Sequence, residues 1–221
     1  MLSDDADKAR TSSKFSVFID TFQSTKTYFS YDEGLAGLAL AMLYMNIMSY
    51  GSVMTAYVAS RKLSTGLIGF TRGISAVIGL LGTIVFQHFS KTHALAVVGM
   101  CSILMQAGFL GISYSSEWVT NNSYSLAMLI GGVCVSRVGL WSFDLSVSQI
   151  MQEKVFEKDR GAVGGTQTAL CSLFEMISFL TGIIWSSPDQ FHILISISYA
   201  GILLSAVLFL VFYKKERQTS R

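Results

Sequence analysis

The sequence predicts an all-α membrane protein with six transmembrane helices. Six apolar stretches run along the 221 residues, and each matches the roughly 20 helical residues that cross a bilayer. Hydrophobic residues make up 51% of the chain and charged residues only 14%, against about 25% in a typical soluble domain. Strands are excluded because lipid offers no hydrogen-bond partners to the open edge of a sheet.

The segment before the first apolar stretch divides into two parts. Residues 1–14 are rich in Asp, Ser and Lys, and we expect them to be a disordered cytoplasmic tail. Between residues 15 and 33, phenylalanines recur at helical spacing with polar residues between them, which predicts a short amphipathic helix. Such a helix can lie along the cytoplasmic face of the membrane or pack on protein as a linker, and the pattern leaves both open.

The predicted transmembrane lobe extends over residues 34–213, and residues 214–221 form a basic cytoplasmic tail. Its spans are separated by short connections, so neighbouring helices run antiparallel. The six predicted spans are Leu35–Val58, Ser64–Phe86, Ala94–Ser113, Ser125–Gln149, Gly161–Trp185 and Phe191–Tyr213.

The distribution of basic residues predicts the topology. Twelve of the 16 Lys and Arg residues fall on one side of the spans, whereas the loops on the opposite side hold only Arg61 and Lys62. By the positive-inside rule both termini are cytoplasmic, as an even number of spans also requires.

Four ionisable residues lie inside the predicted spans: Arg72, Arg137, Asp144 and Glu175. A charge near the centre of a membrane helix costs about 2.5–3.5 kcal/mol on insertion scales. Two of the residues are positive and two negative, so they can form buried ion pairs that fix the helix register. They can also line a permeation pathway or a gate. We favour this interpretation because four charges are many for six membrane helices.

Polar residues accompany these charges in two spans. Glu175 lies near the centre of the fifth span and is the best single candidate for contact with a cation or proton, and Ser178 follows one turn later. Asn46, Ser49 and Ser52 form a polar stripe in the first span. A helix with small polar residues at mid-depth can unwind and turn its carbonyls towards a substrate, although the same residues also serve as packing contacts.

The cytoplasmic loop 152–160, which ends at Arg160, mixes charges of both signs. It is either a solvated connector or a segment that closes the inner face by salt bridges to another lobe. In the second span, Gly69-x-x-x-Gly73 predicts a face that another helix approaches closely. No catalytic triad, phosphate loop or nucleotide-binding pattern occurs, so the sequence gives an enzyme no support.

The fourth span carries the stretch RVGLWSFDL at 137–145, which closely resembles a motif of the ferroportin family of iron exporters. The chain is similar to that family along residues 15–213. Further similar stretches are LYM at 43–45, RGISA at 72–76, DRG at 159–161 and GTQ at 165–167.

The resemblance implies a major-facilitator-type transporter built from two six-helix lobes that work by alternating access, of which this chain is the second lobe. It implies export of Fe²⁺ or a related divalent metal as the substrate, with no cofactor. The expected partners are the lipid bilayer, the metal cation, and an N-terminal six-helix lobe or a second copy; no nucleic acid is expected. We expect the plasma membrane, with the vacuolar and plastid membranes as alternatives.

The sequence departs from the family at one metal site. The resemblance places the Cys of vertebrate members at Ser52 and their His at Ser178, and an acidic residue is kept as Glu175. Serine is a poor ligand for a metal that prefers imidazole or thiolate. We therefore expect a weak second-lobe site made by Glu175 and water, or none.

The candidate residues fall into two groups. Glu175, Ser178, Ser52 and Asn46 belong to the metal or substrate pathway. The intramembrane charge network or gate consists of Arg72, Arg137, Asp144 and Arg160.

Three alternatives follow for the whole chain. It is half of a ferroportin-like exporter, a truncated paralogue that does not transport but modulates a full-length carrier, or a homodimeric carrier built from two copies.

Overall fold

The computed structural model of the chain describes residues 21–48 and 51–219, without the side chains of Ser52 and Pro188. Every regular element in these ranges is helical. The predicted disordered tail at 1–14 and the first part of the predicted amphipathic helix, residues 15–20, lie outside the described residues.

Eight helices follow one another along the described chain. They are α1 (21–30), α2 (Glu33–Leu43), α3 (Ser52–Ser60), α4 (Thr65–Phe89), α5 (Leu95–Ser115), α6 (Asn122–Lys154), α7 (Arg160–Ile184) and α8 (Phe191–Thr219). Helices α4 to α8 are long and apolar enough to cross a membrane, which confirms the last five predicted spans.

The prediction of one continuous first span, Leu35–Val58, is wrong. The helix ends at Leu43 and resumes as α3 at Ser52, so two short helices replace the span. Between them Asn46 Oδ1 accepts a hydrogen bond from Met48 N at 2.9 Å, a local bond that competes with the helical pattern. The backbone is extended at Gly51, where ψ is −170°.

Helices α4 and α5 pack on α6 through close backbone contacts at glycines. A Cβ atom on Gly82 would lie 2.7 Å from Val138 O, and one on Gly139 would lie 2.6 Å from Ser102 O. The Ser142 hydroxyl donates to Gly82 O at 2.7 Å and adds a polar tie between α4 and α6. These contacts bring the helices closer than side chains with a Cβ atom would permit.

The prediction that Gly69 and Gly73 form the close-packing face is wrong within this chain. A Cβ atom at either position would meet no described atom within 4 Å, whereas Gly79 and Gly82 face α6. Gly69 and Gly73 lie on one face of α4, and Gly79 and Gly82 lie on another, because the helix repeats every 3.6 residues.

The helices form an arc with an open concave side. Helix α4 contacts α6, α6 contacts α2, and α2 contacts α7, while α5 and α8 pack behind this row. In the most apolar window of each helix, 44% of residues are buried in α5 and in α6 and 39% in α8, but 22% in α4 and 0% in α7. The two ends of the arc therefore expose most of their apolar surface.

One end of the lobe is held together by polar contacts between distant segments. Tyr31 donates to Asp159 Oδ2 at 2.6 Å, and Lys215 pairs with Asp32 at 2.6 Å. The predicted basic tail is helical as far as Thr219, so these ties reach the end of α8. Helix α1 buries Tyr28 against the lobe, while Phe22 and Phe29 on the same segment are exposed.

Candidate functional site

A cavity of about 510 Å³ lies on the concave side of the arc. We call it the acidic cavity because its ionisable lining includes Asp144 from α6 and Glu175 from α7, together with Arg137. Asp144 is half-buried and Glu175 is exposed in the isolated lobe. The remaining lining residues are Leu40, Leu43, Tyr44, Asn46, Thr83, Leu140, Trp141 and Leu145.

The structure brings four of the eight sequence-predicted site residues to this cavity: Asn46, Arg137, Asp144 and Glu175. They come from three separate parts of the chain. Asn46 belongs to the non-helical break of the first span.

A smaller cavity of about 80 Å³ adjoins the acidic cavity and shares Tyr44, Asn46 and Glu175 with it. Ser178 lines this smaller cavity and is 8% exposed. Ser52 begins α3 next to Gly51, which also lines the smaller cavity, but the Ser52 side chain lies outside the described atoms. The predicted ligand positions thus converge near the break.

The break is supported from behind by α8. The Ile47 N–H, which has no helical partner, donates to the Ser198 hydroxyl at 2.9 Å. Non-helical backbone at membrane depth requires such partners, since lipid provides none. Asn46 accepts from Met48 N, so its side chain also stabilises the break that places it beside the cavity.

Arg72 lies outside the acidic cavity. It lines a separate cavity of about 230 Å³ with Ser75, Ala76, Arg137 and Trp141. We call this the basic cavity. Arg137 and Trp141 line both cavities and stand between them.

Arg160 does not join the other predicted network residues. It is exposed at the start of α7, where its Nε donates to Val155 O at 3.2 Å. Among the described residues, neither Arg72 nor Arg160 forms an ion pair. The structure thus separates the predicted charge network into three residues that line two adjoining cavities, Arg72, Arg137 and Asp144, and Arg160, which lies apart from them.

Sequence reasoning missed Tyr44, Thr83 and Trp141 as lining residues of the acidic cavity. Tyr44 follows the last residue of α2, so its position depends on the break. Trp141 lies one turn from Arg137 and Asp144 on α6, and this spacing in the sequence carried a signal for a shared face.

Sequence reasoning also missed a polar network that joins three helices. Tyr28 donates to Gln167 Oε1 at 2.5 Å, and Gln167 Nε2 donates to Gly37 O at 3.0 Å and to Cys171 Sγ at 3.3 Å. A side chain on Gly37 would collide with Tyr28, Gln167 and Met151. The network therefore joins α1, α2 and α7 at one place.

The described residues contain no group of three or more His, Cys, Asp or Glu arranged to hold a metal ion. Asp144 and Glu175 supply carboxylate oxygens from two helices, a hard ligand set that water can complete. This arrangement can attract a divalent cation without enclosing it.

Comparison with known proteins shows which family has this sequence and fold. The Ferroportin1 (FPN1) family model matches residues 2–202. Solute carrier family 40 member 1 of Arabidopsis thaliana is 38% identical over 186 residues, which cover 84% of this chain and 36% of that protein. Ferroportin of Homo sapiens is 25% identical over 253 aligned positions, covering 90% of this chain and 44% of that protein.

Solved structures agree. A bacterial homologue of the iron transporter ferroportin, in the outward-facing state, superposes with a TM-score of 0.80 and 25% identity. The match covers 88% of this chain and 47% of that one. The chain thus spans less than half the length of the relatives and structures that it matches, and it belongs to the ferroportin family of membrane transporters.

Proposed function

We propose that this chain forms one half of an exporter that carries Fe²⁺ or a related divalent metal ion across a membrane by alternating access. The observation that supports the proposal most strongly is the presence of Asp144 and Glu175 in one open cavity. Carboxylates inside a membrane protein mark ion pathways because they are costly without a partner. A solved structure with a similar fold is that of a bacterial homologue of the iron transporter ferroportin.

The proposed metal-binding step uses the two carboxylates and Asn46. A metal that enters the acidic cavity exchanges some of its water for oxygens of Asp144 and Glu175. Arg137 lines the same cavity, so its positive charge offsets part of their negative charge when the metal is absent. A weak, partly hydrated site suits transport, since the ion must leave as well as enter.

A second six-helix unit is the proposed partner of the concave side. Helices α4 and α7, at the two ends of the arc, are much less buried than α5, α6 and α8. Glu175 is exposed in the isolated lobe, and a facing lobe would enclose it. We propose an N-terminal half, or a second copy of this chain, in that position, with Arg160 contributing to closure of the cytoplasmic side.

The alternative function is that of a truncated paralogue that does not transport but binds and modulates a full-length carrier. The chain spans 36–45% of the length of its curated relatives, which both functions allow.

Co-expression separates these functions. The chain is expressed with the N-terminal half of the Arabidopsis thaliana relative in cells loaded with radioactive iron, and efflux is measured. We expect efflux only when both halves are present, reduced by Glu175→Gln and Asp144→Asn but not by Glu117→Gln, which removes an equal charge outside the acidic cavity. Absence of efflux, together with co-purification of the chain with an intact carrier, would favour the modulator.

The proposed topology places both termini in the cytoplasm of a multi-pass protein. Tags at residues 1 and 221 should resist a membrane-impermeant label in intact cells and react after permeabilisation. Imaging of the tagged chain in its native cell identifies the membrane, for which we propose the plasma membrane ahead of the vacuolar and plastid membranes.

A further inference from the structure

The basic cavity between α4 and α6 has a lining that differs in charge from the acidic cavity beside it. Its two ionisable residues, Arg72 and Arg137, are both positive, and its other lining residues are Ser75, Ala76 and Trp141. Two guanidinium groups that face one space repel each other, and low polarity in a membrane strengthens that repulsion. An anion in the cavity would remove it.

Ser75 gives an independent sign of an occupant. Its side chain is 3% exposed, and its hydroxyl oxygen has no hydrogen-bond partner among the described residues. Buried hydroxyls are nearly always paired, because an unpaired one has lost its hydrogen bonds to water without a replacement. Ser75 lines the basic cavity together with the two arginines, and there its hydroxyl can donate to an anion.

Arg72 also lacks a counter-charge in the described part of the chain. It lies roughly 10 Å along α4 from the first residue of that helix, well inside the apolar stretch. It forms no ion pair with another described residue. The guanidinium group presents parallel N–H donors that match the two oxygens of a carboxylate.

We infer that the basic cavity is a binding site for a carboxylate, held by Arg72, Arg137 and the Ser75 hydroxyl. Its volume of about 230 Å³ is below the range of about 300–1,000 Å³ typical of drug-sized ligands, so the occupant is small. The carboxylate can belong to a free anion or to an acidic side chain of the facing lobe. Both present the same two oxygens, and the experiment below distinguishes them.

Placed next to the acidic cavity, this site gives Arg137 a second function. Arg137 and Trp141 form the wall shared by the two cavities. A carboxylate in the basic cavity attracts the Arg137 guanidinium away from Asp144 and Glu175, which leaves more negative charge available to a cation. Binding of the anion and the cation should therefore favour each other.

Trp141 provides the measurement. The chain is purified in a maltoside detergent, which has no phosphate or carboxylate group, with Trp118 and Trp185 replaced by Phe so that Trp141 fluorescence is observed alone. Sodium propionate, the analogue of a Glu side chain, is titrated at constant ionic strength. The control ligand is propionamide, which has a similar shape and no charge.

We expect a saturable fluorescence change with propionate and none with propionamide. Arg72→Gln should weaken propionate binding at least about tenfold, since it removes a charge-assisted bidentate contact, and Ser75→Ala should weaken it about two- to fivefold. Ser102→Ala, a buried serine whose hydroxyl already bonds Val98 O, and Lys62→Gln, an exposed charge, should leave it unchanged.

Two results would overturn the site: no saturable response specific to propionate, or equal affinity in wild type and Arg72→Gln. If Arg72→Gln does not give a monodisperse protein, Arg72→Lys replaces it. Lys keeps the positive charge but cannot donate two parallel N–H groups to one carboxylate, so weaker propionate binding is still expected. The source of the carboxylate follows from repeating the titration after assembly with an N-terminal half. Retained binding indicates a free anion, and lost binding indicates a side chain of that half.

The outcome is independent of the proposed transport function. Arg72 and Ser75 do not line the acidic cavity, so a failed propionate titration leaves the efflux prediction for Glu175 intact. Failed efflux would likewise leave propionate binding to the isolated chain intact.

Discussion

The Ile47 N–H donates a hydrogen bond of 2.9 Å to the hydroxyl of Ser198, which lies 151 residues further along the chain on α8. Both residues are buried, with exposures of 4% and 1%. The bond satisfies a backbone group that the break in the first span would otherwise leave without a partner. The break that places Asn46 and Tyr44 beside the acidic cavity thus depends on a helix that packs behind it.

Ser198→Ala should destabilise the lobe by about 1–3 kcal/mol, because it leaves the buried Ile47 N–H unpaired. Denaturant or thermal unfolding in detergent measures the change. Ser196→Ala is the matched control, since that exposed hydroxyl bonds only His192 O in its own helix and, at 3.4 Å, Tyr114. Equal stability of the two variants would show that the break does not need support from α8.

Gly82→Ala should destabilise the packing of α4 on α6 by about 1–3 kcal/mol, the usual range for overpacking. The new methyl group would lie 2.7 Å from Val138 O, a backbone atom that cannot move away alone. Gly69→Ala, on the open face of the same helix, should have little effect in the isolated chain. Thermal unfolding of the pair tests the assignment, and a larger loss for Gly69→Ala would reverse it.

Glu175→Gln should lower metal transport at least about tenfold, the lower end of the effect of removing even outer partners of a metal. Ser178→Ala should change transport by less than about twofold, because a serine hydroxyl is a poor ligand for such a metal. Initial rates of iron efflux from the co-expressed halves provide the comparison. Undiminished efflux in Glu175→Gln would exclude that carboxylate from the pathway.

The Tyr31–Asp159 hydrogen bond predicts that the stability of the lobe depends on pH. Donation to the Asp159 carboxylate raises the pKa of Tyr31 above its ordinary value of 10.0. Because the folded state holds this proton more tightly, the stabilisation is complete below pH 10 and is lost as the pH rises through the raised pKa.

Tyr31→Phe should therefore lower the thermal midpoint at pH 8, and its difference from wild type should shrink at pH values above 10. The exposed Tyr124 offers a control, since Tyr124→Phe removes a phenol that makes no such bond. A difference between wild type and Tyr31→Phe that stays constant from pH 8 to strongly alkaline pH would contradict the assignment.

Much of the fold can be predicted from the sequence because a lipid bilayer requires long apolar segments whose backbone hydrogen bonds are made within the protein. The five long spans are visible as apolar runs, and α4 to α8 end within a few residues of them, except that α6 and α8 run five and six residues further at their C-terminal ends. The first span was also visible as an apolar stretch. Hydropathy indicates that a segment can lie in the membrane, but not whether it is one continuous helix. Only the Asn, Ser and Gly residues near its centre signalled that it can unwind.

The faces of the helices were harder to predict. Gly69, Gly73, Gly79 and Gly82 all lie on α4. Which of them pack against another helix depends on the position of α6, and the spacing of the glycines in the sequence does not give that position. The intramembrane charges gave a better signal. Asp144, Glu175 and Arg137 line one cavity, and charges in a membrane helix are tolerated only away from lipid. Arg72 was grouped with them, but it faces the basic cavity.

Titration of Co²⁺, an air-stable substitute for Fe²⁺, into the purified chain tests most directly whether the acidic cavity takes a divalent metal. Isothermal calorimetry compares wild type, the double variant Asp144→Asn with Glu175→Gln, and Glu117→Gln as the charge control. We expect weak saturable binding to wild type and to Glu117→Gln, and none to the double variant. Binding of equal strength to the double variant, or no binding to wild type, would contradict the account.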